Sequence, residues 1–167
     1  MKYKPKKSLG QNFLINQNII KEIVKIGKLQ NEFSVIEIGP GTGNLTKEIL
    51  KSNPKNFYAI EKDRILFNKL KNKFKTNINL INEDVLKIDW QKFSNNQYIV
   101  FGNLPYNVSS KILINLIRLN NLSLIFKKLI LMFQKEVADR IVADVNSNKY
   151  GRLSILTSWK MKAQKIM

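Results

Sequence analysis

Asn103-Leu104-Pro105-Tyr106 follows the apolar run Tyr98-Ile99-Val100-Phe101. An Asn/Pro turn after a strand is common, but these four residue types also suit holding a flat ring that carries an exocyclic amine. Such an amine is a poor nucleophile, because its lone pair is delocalised into the ring. The carboxamide oxygen of Asn103 and the backbone carbonyl of Leu104 can each accept one of its N–H groups and so localise the lone pair toward an electrophile. Pro105 fixes φ and stiffens the loop. Tyr106 offers a flat face for a base drawn out of its stack.

A second loop, Glu37-Ile38-Gly39-Pro40-Gly41-Thr42-Gly43, follows another apolar run, residues 33–38. Glycines at Gly39, Gly41 and Gly43 let the backbone turn sharply and approach a ligand without a Cβ in the way. Glu61 falls about twenty residues further on, where a carboxylate can grip both hydroxyls of a ribose. The third glycine comes one residue earlier than in a dinucleotide-binding G-x-G-x-x-G loop, which holds pyrophosphate at a helix N-terminus. That spacing, with Glu37 two residues ahead of the loop, favours S-adenosylmethionine, which has no phosphate, over NAD. Asp84, in Glu83-Asp84-Val85, is placed either to accept from an adenine amino group, with Val85 packed on the ring, or to cap the next helix. The two loops together point to methyl transfer onto the amino group of a base. The methylated amine is acidic enough to lose its proton to solvent, so the chemistry needs no general base.

The elements that must position these loops alternate. Residues 2–11 are basic and aperiodic and read as an extended arm. Ile19, Ile20, Ile23 and Val24 recur at helical spacing, predicting a helix from Asn16 that ends near Gly27. Strands are predicted at 34–38, 56–60, 78–82, 98–101 and 128–133, and a sixth could begin at 163–167. Helices are predicted at 44–52, 64–74, 111–119, 135–143 and 153–160. This alternation predicts an α/β fold, a doubly wound and mostly parallel sheet with helices on both faces. Both loops then sit at the carboxyl ends of strands, where open α/β sheets bind ligands.

Composition sets limits. With 167 residues and 44% hydrophobic content the chain suits one folded domain. It has no cysteine and no histidine, which removes disulfides, the cysteine nucleophile, the commonest general base and the commonest metal ligands. No metal site is expected. No apolar stretch reaches membrane-spanning length, and the Lys-rich start lacks the apolar segment of a signal peptide, so a cytoplasmic protein with no membrane partner is expected. Lys and Arg total 29 against 12 acids, a net charge of +17. That field favours a polyanion such as RNA. The abundance of Lys, Asn and Ile is equally what codon bias in an AT-rich genome produces, and charge alone leaves both readings open.

These residues resemble the KsgA-type ribosomal RNA adenine dimethyltransferases, which modify two adjacent adenosines near the end of small-subunit rRNA. The resemblance is carried by Lys7-Ser8-Leu9-Gly10-Gln11-Asn12-Phe13-Leu14, the Glu37–Gly43 loop, Glu61-Lys62-Asp63 and Glu83-Asp84. It continues through Phe101-Gly102-Asn103-Leu104-Pro105-Tyr106-Asn107, Gln134-Lys135-Glu136-Val137-Ala138 and Tyr150-Gly151-Arg152-Leu153, in order along the whole chain. It implies a Rossmann-like class I S-adenosylmethionine-dependent methyltransferase fold, acting as a monomer on small-subunit rRNA or the pre-30S particle during ribosome biogenesis. It also implies that Asn12 and Leu14 line the methionine end of the cofactor site. Gly39, Gly41, Glu61, Asp84 and Asn103 would contact the cofactor, while Asn103, Leu104, Pro105 and Tyr106 would hold the target adenine. Residues 1–15 become a basic arm contributing to that site, and 16–167 the catalytic domain.

Members of that family normally continue into a proline-rich loop with a second aromatic for the base, a seventh strand and a small helical RNA-binding domain. The resemblance therefore implies a catalytic domain incomplete at its C-terminus, with strand five or six left as an open edge. Such a form is expected to bind cofactor but to methylate ribosomal particles poorly. Two alternatives stand beside this reading. One is a large-subunit rRNA adenine methyltransferase of the macrolide-resistance type. The other is a non-catalytic ribosome-assembly or RNA-binding factor that keeps the fold.

Overall fold

The computed structural model describes residues 10–167, so most of the basic arm, including Lys7, Ser8 and Leu9 of the first matching segment, lies outside the described residues. Five strands form one sheet: β1 (Ser34–Ile38), β2 (Asn56–Ile60), β3 (Asn79–Ile81), β4 (Tyr98–Asn103) and β5 (Phe126–Met132). Their order is β3-β2-β1-β4-β5, and every neighbouring pair is parallel. The chain thus winds outward from β1 through β2 to β3, then returns to place β4 against the other side of β1. The β1/β4 boundary is the topological switch point, where an open sheet leaves a crevice for a ligand.

The helices are α1 (Gln17–Gly27), α2 (Asn44–Leu50), α3 (Arg64–Phe74), α4 (Ser109–Ile117), α5 (Leu122–Ile125), α6 (Lys135–Ile141) and α7 (Arg152–Lys160). Asn16 caps α1 by accepting from the N–H groups of Asn18 and Ile19, and Asp63 caps α3 by accepting from Ile65 and Leu66. Each cap satisfies backbone donors that the first turn leaves without partners.

Strand alternation divides the core into two layers. Ile36, Ile38, Val100 and Leu104 pack with Ile112 and Leu116 of α4 and with Trp90, Phe93, Tyr98 and Phe126. Val35, Phe57, Ala59, Ile99 and Phe101 pack on the other side with Ile20 and Ile23 of α1, Ile49 of α2, and Leu70 and Phe74 of α3. Glu37, Glu61 and Asn103 share strand parity with this second layer, which brings their side chains toward the glycine loop and the arm. A third cluster, Leu113, Ile117 and Ile141, joins α4 to α6 and α7.

Some expectations are corrected. β3 is shorter than 78–82, and β4 runs two residues beyond Phe101, so Asn103 is a strand residue paired with Met132. β5 begins at Phe126 and ends before Phe133. Residues 163–167 carry no strand, since no described strand pairs with them. The helices predicted at 111–119 and 135–143 begin or end about one half-turn away, at Ser109–Ile117 and Lys135–Ile141. Two 3-10 segments, Val85–Lys87 and Trp90–Phe93, occupy the stretch between β3 and β4 that periodicity left unassigned. β5 is an edge of the sheet, as expected for strand five.

Candidate active site

The carboxyl ends of β1, β2 and β4 surround a cavity of about 330 Å³. Its lining brings together Asn12, Leu14, Gly39, Gly41, Glu61, Asp84, Asn103 and Pro105, drawn from five separate stretches of sequence. Leu104 and Tyr106 do not line it. The Leu104 side chain is buried in the core beneath the loop, and Tyr106 is 41% exposed beside it.

Gly39, Gly41 and Gly43 all have positive φ, which L side chains rarely adopt. Gly43 has a second reason to lack a side chain. A Cβ there would come within 2.6 Å of the Phe74 ring and 2.9 Å of Leu70, so α2 could not start this close to α3. Glu61 closes the loop from below: its Oε2 accepts the Gly41 N–H at 3.1 Å and its Oε1 accepts the Asp63 N–H at 2.8 Å. Burial pushes the Glu61 carboxyl above its ordinary value, against the pull of those two backbone donors. The same carboxylate that faces the cavity therefore holds the loop in shape.

Glu37 is buried in the central strand and accepts the Thr46 hydroxyl at 2.7 Å. Burial raises its carboxyl from 4.5 to about 8; Thr46 opposes the shift and Glu61 adds to it. Between those two values the folded chain holds a proton that the unfolded chain has lost. Stability from this group is thus complete below pH 4.5 and is lost as pH rises toward 8, by up to about 1.4 kcal/mol per unit. Glu37→Gln keeps a neutral side chain whose oxygen can still accept from Thr46. Urea unfolding at pH 5.5 and 7.5 is expected to show a clearly flatter pH dependence for Glu37→Gln. An unchanged slope would mean that Glu37 does not hold that proton.

Asp84 takes the capping role and keeps its place at the cavity. Oδ1 accepts the Leu86 N–H at 3.0 Å and Oδ2 pairs with Lys62 at 2.9 Å. Burial pushes its carboxyl up, but the Lys62 ammonium and the Leu86 N–H outweigh this and hold it below its ordinary value. Five of the chain's twelve acidic residues, Glu37, Glu61, Asp63, Glu83 and Asp84, line this one cavity. Glu37 holds its proton near neutral pH, and Lys62 and Lys111 also line the cavity. The remaining Glu61, Asp63, Glu83 and Asp84 leave a modest negative balance, which favours a cationic ligand with ribose hydroxyls over a phosphate-bearing one. The lining therefore fits S-adenosylmethionine by charge. No group of three or more potential metal ligands that could hold an ion occurs among the described residues.

On the opposite wall, Asn103 Nδ2 donates to the Asn12 carbonyl at 2.6 Å. This fixes the nitrogen end of the amide and leaves Oδ1 as the acceptor. Sequence reasoning missed Lys111, on the first turn of α4, and Asn44 of α2. Both line the cavity, and Asn44 Nδ2 also donates to the Leu14 carbonyl at 2.9 Å. Neither position belongs to a motif, and only the fold brings them to the site.

The parallel sheet, its order and the cavity at the switch point, together with the solved structures it matches, place the chain in the class I S-adenosylmethionine-dependent methyltransferase fold. The solved dimethyladenosine transferase from Plasmodium falciparum superposes with a TM-score of 0.76 at 32% identity, covering 88% of this chain and 52% of that one. The 23S rRNA methyltransferase ErmE gives 0.69 at 25% identity, covering 80% and 52%. The family model for ribosomal RNA adenine dimethylase matches residues 2–167, and the chain belongs to that family. Ribosomal RNA small subunit methyltransferase A of Pelagibacter ubique is 52% identical over 164 residues, 98% of this chain and 62% of that protein. The chain spans about three-fifths of the length of the curated relatives it matches.

Proposed function

We propose that this domain transfers methyl groups from S-adenosylmethionine to the exocyclic amine of adenosines in small-subunit rRNA, dimethylating two adjacent bases in a pre-30S particle. The observation that carries this reading is the meeting, across one acid-lined cavity, of the Glu61-braced glycine loop and the wall formed by Asn103 and Pro105. When bound, S-adenosylmethionine supplies the electrophilic methyl group. Glu61 grips the ribose while keeping the loop closed, and Asp84 with Val85 receives the adenine ring of the cofactor. Asn12 and Leu14 flank its methionine end, and Gly39 and Gly41 give the backbone room to approach it. Asn103 Oδ1 and the Leu104 carbonyl accept the two N–H groups of the target amine and turn its lone pair toward the methyl donor. Pro105 stiffens the loop and Tyr106 stacks on the extruded base. The proton leaves to solvent after transfer.

The choice of small-subunit RNA rests on the arm motif and on the names of the relatives at about half identity. It is tested with undermethylated small subunits, with large subunits as control, using this chain and a fusion to a relative's C-terminal region. Label from S-adenosylmethionine is expected on small subunits only; label on large subunits only would favour the macrolide-resistance alternative. If the basic surface serves RNA, affinity should fall by about 10³-fold or more between 50 and 200 mM salt for six or more phosphate contacts. Salt-insensitive binding would assign the charge of +17 to codon composition.

A further inference from the structure

Residues 11–14 line the cavity, and the segment starting at Gly10 touches both loops that form it. At one end, Gly10 has a φ of +61°, and a Cβ there would come within 2.5 Å of Asn107 Oδ1 and 3.4 Å of the Pro105 ring. At the other end, the Phe13 ring lies 3.0 Å from where a Cβ of Gly41 would sit, and the Leu14 carbonyl accepts from Asn44. Between these anchors Asn12 makes two bonds, each more than ninety residues across the chain. Its carbonyl accepts Asn103 Nδ2 at 2.6 Å, and its Nδ2 donates to the Tyr106 hydroxyl at 2.7 Å.

We infer that Asn12 is a positioning residue for the base-accepting loop, a latch that sets the Asn103 amide and the Tyr106 ring when the arm docks on the cofactor loop. The inference rests on the function proposed above. A carboxamide has two ends of nearly equal shape and opposite hydrogen-bonding character. A backbone carbonyl at Asn12 accepts and never donates, so it selects the orientation that offers Oδ1 to an amine. The flipped amide would present N–H groups to the amine's own N–H groups. Tyr106, partly exposed on a loop, would otherwise sample several rotamers, and the bond from Asn12 holds it in one. Because the same short segment packs on Gly41 and is bonded to α2, docking of the arm on the cofactor side and readiness of the base side are one event.

The test is a double-mutant cycle of Asn12→Ala and Tyr106→Phe, the latter keeping the ring for stacking. Two readouts are taken: hydrogen exchange at residues 10–14, and kcat and KM for RNA in the fused protein. One neutral hydrogen bond is worth about 1 kcal/mol, so each single change should lower kcat by about three- to tenfold, with KM for RNA within about twofold. Each should raise exchange in the arm to a similar degree, and the double variant should go no further than either single one. Fully additive losses, or a Tyr106→Phe protein with wild-type exchange and kcat, would overturn the latch. If even the wild-type fusion transfers no methyl group, the proposed function fails, and the exchange cycle alone decides the latch.

Discussion

Asn103→Ala is expected to cut methyl transfer by about 10²–10³-fold, the usual effect of removing one preorganised polar group aimed at the reacting centre. Under the proposed function the amine must lose conjugation with its ring before it can attack, and Asn103 Oδ1 would accept one of its N–H groups to favour that. Alanine removes the acceptor and also leaves the Asn12 carbonyl without its donor. The substitution lies at the end of β4 rather than in either core layer, so folding should survive. Asn103→Asp separates the two roles: it keeps an acceptor but cannot donate to Asn12, and an intermediate loss is expected. Single-turnover transfer at saturating cofactor reads the effect directly. A rate within threefold of wild type for Asn103→Ala would remove Asn103 from the chemistry.

Glu61→Gln is expected to be far from conservative, lowering affinity for S-adenosylhomocysteine by about 10- to 100-fold. Both oxygens of the carboxylate accept backbone N–H groups, from Gly41 and from Asp63. A carboxamide has one accepting oxygen, so one of those N–H groups would face an NH₂ inside a buried site. Leaving a buried donor unsatisfied costs about 1–3 kcal/mol, and here the strain falls on the loop that must close around the ligand. Isothermal titration with S-adenosylhomocysteine checks the outcome, with circular dichroism to confirm the fold. Binding within twofold of wild type would mean that the Glu61 bonds do not shape the cofactor loop.

Where burial on both faces and sharp turns coincide, the fold was legible from sequence. β1 and β2 occupy the predicted 34–38 and 56–60, because each is an apolar run bounded by turn residues. α3 matches 64–74, because Asp63 supplies a cap and Leu66, Leu70 and Phe74 keep helical spacing. β5 starts two residues before the predicted 128–133 because Lys127 reads as a polar border residue. On an edge strand such lysines are easily accommodated: Lys127 lies 3.8 Å from the centre of the Phe33 ring, and Lys128 donates to the Ile26 carbonyl. The 3-10 segments are too short for any period to show, although Asp84 and Asp89 cap them in the ordinary way.

The candidate site was legible in its loops and not in its arm. Strand-loop placement alone pointed to Gly39, Gly41, Glu61 and Asn103. Nothing in spacing pointed to Asn12 or Leu14, which came from family resemblance, because their partners lie 30 to 94 residues away in sequence, and only the Asn12 bond to the Tyr106 hydroxyl uses a side chain of theirs. Glu37, Glu61 and Asp84 were legible beside the cofactor loop, whereas nothing in spacing placed Asp63 and Glu83 in the same cavity. Only the parallel winding of β1, β2 and β3 collects them.

The most direct measurement uses S-adenosylmethionine carrying a deuterated methyl group. Undermethylated small subunits are incubated with this chain or its fusion, the RNA is digested to nucleosides, and the heavy methyl is located by mass spectrometry. Heavy methyl is expected on the exocyclic nitrogen of adenosine, with dimethylated product accumulating. Heavy methyl on a ribose or another base, or none from either protein while cofactor binding is intact, would contradict it.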